Sequence, residues 1–258
     1  MTKKSEIAKA GNKDVAVFNP AMMEQDAGAG MDNMGTEDLA LPFLKALSGN
    51  DPVLDENEMA RKGDIYNTVT GILYKGKDGV RVVPCAYQRR FIQWTPRGSG
   101  SNAPVAIYEP GQERPKTERS SEDNKEYVVG GEGDYIEETH QHFVLLLNDD
   151  GSYETALIAM KSTQLKKSRK WNSMMASRSM QGQNGPFTPP RFSHIYHLKT
   201  VSEENSKGSW AGWEMSCEGV IEDGALYSRA KGFAESITAG DVVVKHTDDE
   251  EDGKSTPF

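Results

Sequence analysis

The sequence predicts a mainly β fold of the α+β type: an OB-like small barrel or curved antiparallel sheet with an inserted helix. Three observations carry that reading. Short segments rich in Val, Ile, Tyr and Phe recur between turns of Gly, Asn and Asp, as the strands of an antiparallel meander do. One helical segment, opened by Ser162 or Thr163, stands between two groups of them. The longest remaining stretches are dense in Pro, Gly, Ser and charge, which suits loops rather than core.

With 258 residues, 36% of them hydrophobic, the chain can bury one sizeable core and carry flexible arms besides. Residues 1–35, rich in Ala, Gly, Asn, Asp and Met without periodicity, read as a disordered arm. Residues 36–60 read as a short helix and linker docking on the core. Thr36, Glu37 and Asp38 precede Leu39, Leu41, Phe43, Leu44 and Leu47, with Pro42 held to the first turn. The core spans 61–240. Its strands are expected at 65–70, 72–74, 80–87 with 89–94 continuing, 135–147, 153–160, 192–201 and 209–221, separated by turns at Gly71, 76–79, 148–151 and 202–208. Residues 95–126 are expected to form a long mobile loop, and Pro186, Pro189 and Pro190 keep 182–190 from being helical. The inserted helix runs from 162 to about 180, and Asp223 caps a second helix over 225–236. An acidic disordered tail occupies 241–258.

Composition narrows the function. Cys85 and Cys217 stand far apart with no second cysteine near either, so neither a zinc ribbon nor a redox pair is available, and a reducing compartment is the default. No apolar run reaches membrane-spanning length, and Met1, Thr2, Lys3 and Lys4 are not followed by an apolar signal segment. A soluble, cytoplasmic protein with no membrane partner is expected. The phosphate-loop, dinucleotide, nucleophile-elbow and zinc-deaminase signatures are all missing, and no acid/base pair stands out among the loop carboxylates. His140 and His142 share a strand face, whereas His194 and His197 fall on opposite faces, which is a weak pattern for metal ligands. No cofactor is implied.

The net charge of −9 hides its own distribution. Residues 1–60 contribute −6 and 245–258 contribute −3, which leaves 61–244 neutral. Within that middle, 61–108 carries 8 basic and 2 acidic side chains, and 161–199 carries 8 basic and none acidic. Contact with phosphates follows local potential rather than net charge. The first basic segment mixes Arg81, Arg89, Arg90 and Arg97 with Tyr87, Phe91 and Trp94. The period of two places Arg89, Phe91 and Gln93 on one strand face and Arg90, Ile92 and Trp94 on the other. The second segment sets Lys166, Lys167, Arg169, Lys170 and Arg178 on the helix with Trp171. At about 100° per residue, Lys167, Trp171, Met174, Met175 and Arg178 form one stripe. Phe187 and Arg191 follow in the proline-rich loop and are placed to wall a groove. Bases stack on aromatic rings while cations neutralise phosphates, so these residues make up the expected surface for a single-stranded nucleic acid. Strand aromatics serve equally well as core.

The chain closes on Asp248, Asp249, Glu250, Glu251 and Asp252, followed by Gly253, Lys254, Ser255, Thr256, Pro257 and Phe258. Such a segment buries too little apolar surface to order itself, and it presents an aromatic anchor beside a carboxylate to a partner. It resembles the C-terminal tip of bacterial single-stranded-DNA-binding proteins, an Asp-rich run ending Ile-Pro-Phe, and the acidic, Phe-terminated tails of their phage equivalents. Here residues 253–256 separate the acids from Pro257. Residues 63–94, reading GDIYNTVTG and later VVPCAYQRRFIQW, are similar to small proteins encoded in the replication regions of tailed phages. The resemblance implies non-catalytic binding of single-stranded DNA during phage replication or recombination. It also implies a tail that recruits replication or recombination proteins and competes with DNA for the groove, and it is compatible with a homo-oligomer. The alternatives are a virion or assembly protein that packs through its tail, and a metal-dependent nuclease using His140 and His142.

Overall fold

A computed structural model describes residues 20–35, 38–96, 98–99, 103–205 and 208–246. The arm before residue 20, Arg97 and all of the tail beyond residue 246 lie outside the described residues. In chain order, the first half comprises α1 (Pro20–Gln25), β1 (Leu44–Ala46), α2 (Val53–Glu56), β2 (Ile65–Asn67), β3 (Leu73–Tyr74), β4 (Val80–Trp94), β5 (Ala106–Tyr108), β6 (Thr117–Arg119) and β7 (Glu126–Val128). The second comprises β8 (Tyr135–Leu147), β9 (Tyr153–Lys161), α3 (Leu165–Ala176), β10 (Met180–Gly182), β11 (Gly185–Phe187), β12 (His194–Asn205), β13 (Gly208–Val220) and α4 (Gly224–Ala239).

Strands β4 and β8 are the spine of a curled antiparallel half-barrel, paired from Arg81 opposite Leu147 to Trp94 opposite Tyr135. The other edge of β4 takes β12 at one end and β5 at the other, and β8 takes β9 and β7 in the same way. A β-bulge between Pro84 and Ala86 lets the proline, which has no N–H to donate, sit inside a central strand and bends that strand. The curved-sheet form of the expected fold is the one observed.

Both faces of the spine are covered, which explains the unbroken apolar run 143–147. Phe143 and Leu145, with Val83, Cys85 and Leu157, face Ala230, Phe233 and Ile237 of α4. Val144 and Leu146, with Val82, Ile158 and Met160, face α3 and the three-stranded sheet β1–β2–β3 through Trp171, Met175, Leu44 and Ile65. Helix α4 is bounded as its sequence dictates: the Asp223 carboxylate accepts from the backbone N–H groups of Ala225 and Leu226, and Gly240 closes the helix at φ +84°.

Several expectations are corrected. The segment 36–47 contains strand β1 rather than a helix, because Phe43 and Leu44 point to opposite faces and fill both core clusters at once. Glycines 76 and 79 do not close a hairpin: β3 pairs with β2 while β4 pairs with β8 and β12, so this turn crosses between sheets. The stretch 95–126 contains β5, β6 and the start of β7. Helix α3 begins after a 3-10 turn at Ser162–Gln164 and ends at Ala176, where the chain turns into the β10–β11 hairpin. Residues 241–246, grouped with the tail by composition, pack on the α4 side: Val242 and Val244 join its cluster, and the imidazole of buried His246 lies 2.8 Å from Gln141 Nε2.

Candidate nucleic-acid interface

The pairing of β4 with β8 decides which side chains meet. Tyr87 lies opposite His142, Arg89 opposite His140 and Phe91 opposite Glu138, all on the face that carries α3. Helix α3 turns Ser168, Trp171 and Met175 inward, with Lys166, Arg169 and Lys170 exposed at the i, i+3, i+4 spacing of one outer face. The two basic segments, some eighty residues apart, therefore converge. Arg89 Nη1 lies 3.9 Å and Arg169 Nη2 3.6 Å from the same Glu138 oxygen. Next along the strand, half-buried Phe91 lies beneath the exposed guanidinium of Arg114 at 3.5 Å, with that of Arg89 at 5.4 Å. Arg114, Phe91, Arg89 and Arg169 thus form a strip with three guanidinium groups, Glu138 and an aromatic ring.

Beneath the strip runs a buried chain of hydrogen bonds whose direction follows from donor chemistry. Arg191 can only donate, so His142 accepts at Nδ1, 2.6 Å from Arg191 Nη2. His142 then donates from Nε2 to Ser168 Oγ, Ser168 donates to His140 Nδ1, both at 2.7 Å, and His140 Nε2 donates to the Glu138 carboxylate at 2.9 Å. Every ring nitrogen is used once, and both imidazoles are neutral. Burial holds His142 well below the ordinary histidine range, helped by the nearby Arg191 charge. Burial also lowers His140, against the opposing pull of Glu138. Arg191 is brought down to about 10 by burial and remains a cation at neutral pH. Its Nη1 donates to Asn172 Oδ1, and no carboxylate pairs with it among the described residues. The network has the residue types of a hydrolase, but Ser168 is fully sealed and both its hydrogen bonds go to imidazoles, so it is a polar core.

Other predicted residues are placed differently. Trp171 is 0% and Trp94 2% exposed. Trp171 stacks on His142 at 4.7 Å, and Trp94 packs with Ile92 and Tyr135, so neither offers a face to a base. Tyr87 is half-buried against His140, His142 and Arg191, and Arg191 belongs to the core network rather than to a groove wall. Arg90 turns to the α4 side, 3.2 Å from Glu109. Arg81, at the far end of β4, pairs with Glu218 at 2.7 Å, Lys167 pairs with Glu203, and Arg178 donates to the Tyr196 hydroxyl. Phe187 is 46% exposed at the hairpin tip. Asp248, Asp249, Glu250, Glu251, Asp252, Pro257 and Phe258 lie outside the described residues. Sequence reasoning missed Arg114 and Glu138. Both stand in the acid-rich segment 109–160, where the acidic majority masked a single arginine, and only strand pairing brings Glu138 to the basic residues.

Among the described residues no cluster of three or more His, Cys, Asp or Glu is arranged to hold a metal ion, and no helix is long and apolar enough to cross a membrane. In comparison with known proteins, the model of a family described as Pam3 phage gp34-like protein matches residues 10–243. The chain belongs to that family, a phage one. Comparisons with curated proteins and with solved structures gave no significant match.

Proposed function

We propose that this protein binds single-stranded DNA, without catalysis, during phage replication or recombination. The observation that carries the reading is the convergence of Arg89 and Arg169 on Glu138, beside Phe91 and Arg114. Phosphates track the guanidinium groups and the exposed Lys166 and Lys170 along α3, releasing counterions, while a base takes the place of Arg114 on the Phe91 ring. The acidic tail, Asp248 to Asp252 with Pro257 and Phe258, recruits replication or recombination proteins and competes with DNA for this strip.

Fluorescence anisotropy with labelled oligo-dT and its duplex at two salt concentrations tests the reading. A salt-dependent preference for the single strand supports it. Arg89→Ala and Arg169→Ala should each lower the slope of log affinity against log salt by about 0.7. Absence of binding to either DNA removes it.

One feature of the fold favours a second reading, that of an assembly protein. Between the parts of β4 paired with β12 and with β5, residues 83–90 carry no strand on their outer edge among the described residues. An open edge is a template for another chain. Salt-insensitive self-association without DNA binding would select that reading.

A further inference from the structure

A second site lies where the turn between the two sheets meets the β12–β13 hairpin. It is a cavity of about 380 Å³ walled by Lys62, Lys75 and Lys77 on one side and by Thr200, Ser202 and Trp210 on the other. Its floor is bare backbone: a Cβ at Gly76 would meet the Gly63 carbonyl oxygen at 1.8 Å, so the chain closes there only with glycine. Charge in the cavity is unbalanced. Asp64 is the one carboxylate of its lining and is paired with Lys75 at 2.8 Å. Lys62 reaches only the Ser209 hydroxyl and carbonyl, and exposed Lys77 has no ion-pair partner among the described residues. Trp210 is half-buried, and its indole N–H donates to Glu203, the same carboxylate that holds Lys167 of α3. The ring is thereby fixed at the cavity, next to the basic helix.

We propose that this cavity is a nucleotide subsite, in which a base stacks on Trp210 while its phosphate is held by Lys62, Lys77 and the Lys75–Asp64 pair. Aromatic face and surplus ammonium groups are the two things a nucleotide offers partners for. Two sources share this chemistry: a free mononucleotide, or one residue of a single strand that has crossed α3. The second source rests on the DNA-binding reading; the first does not.

The tryptophans supply the readout. Trp94, Trp171 and Trp213 are at most 3% exposed, so quenching by a bound base reports on Trp210. The full chain is titrated with dTMP, with inorganic phosphate and with oligo-dT, followed by fluorescence and calorimetry, and again as Lys77→Glu and Trp210→Phe. Lys77 is exposed and its replacement does not threaten folding. Quenching by dTMP that weakens at least fivefold in Lys77→Glu establishes the subsite with a free nucleotide. Quenching by oligo-dT alone, weakened in the same variant, establishes it for the strand. Phosphate binding as tight as dTMP, without quenching, overturns the proposal, as does the absence of quenching by any nucleotide. Oligo-dT binding that is unquenched and unchanged in both variants overturns the subsite while the DNA-binding reading stands. Quenching by dTMP in a chain that ignores oligo-dT does the reverse.

Discussion

Ser168 shows how much one small side chain can hold in place. Its hydroxyl is the single link between two buried imidazoles, accepting from His142 and donating to His140. Ser168→Ala is expected to cost about 1–3 kcal/mol, the usual penalty for buried polar groups left without a partner, read as a lower urea midpoint at unchanged slope. The same network makes stability pH-dependent. Both imidazoles are buried neutral with lowered native pKa values, so below about 6.5 the unfolded chain binds protons that the native one does not. Stability is therefore full above that pH and falls as pH drops through the window down to each lowered native value, by up to about 1.4 kcal/mol per pH unit for each histidine. Urea denaturation between pH 7 and 5 checks this, and His142→Gln should flatten the profile. The residues concerned were visible in the sequence only as a same-face pair, His140 and His142. Ser168 and Arg191 joined them through contacts spanning 26 and 49 residues.

Elements with local signals are where sequence and structure agree. Strand β8 spans 135–147 as its β-branched and aromatic run requires, and α4 begins where Asp223 can cap it. Asp223→Ala should cost about 1 kcal/mol, because two backbone N–H groups lose their acceptor, and thermal or urea unfolding measures it. Strand β1 shows the opposite case. Leu39, Leu41, Phe43, Leu44 and Leu47 admit a helical reading, and nothing local reveals that Leu44 to Ala46 will pair with residues about twenty positions away. Strands β5 and β6 were illegible for another reason: three residues are too few to show a period, and Thr117, Glu118 and Arg119 are polar. On α3 the composition was legible and the orientation was not. The stripe containing Trp171 and Met175 was evident, but which side faced the sheet depended on the sheet.

At the scale of the whole molecule, the boundary between core and tail falls after His246. Val242, Val244 and His246 pack on the α4 side, so removing 241–258 should lower the unfolding midpoint whereas removing 247–258 should not. The shorter deletion is also the clean test of competition. Tighter oligo-dT binding at low salt is expected, and unchanged affinity eliminates the competing tail. By itself the sequence determined what depends on neighbours in the chain: strand and helix periodicity, the Asp223 cap, the proline-rich breaks, and two stretches of basic charge in an acidic protein. Tertiary structure alone decided which aromatics are sealed and which are open, that Arg89 and Arg169 share Glu138, that Arg114 covers Phe91, and that two histidines, a serine and an arginine form one buried chain. The physical reason is that both faces of the β4–β8 spine are buried. Exposure and contact then follow from cross-strand register and from the elements laid over each face, and a run of residues encodes its own period but not the partner it meets.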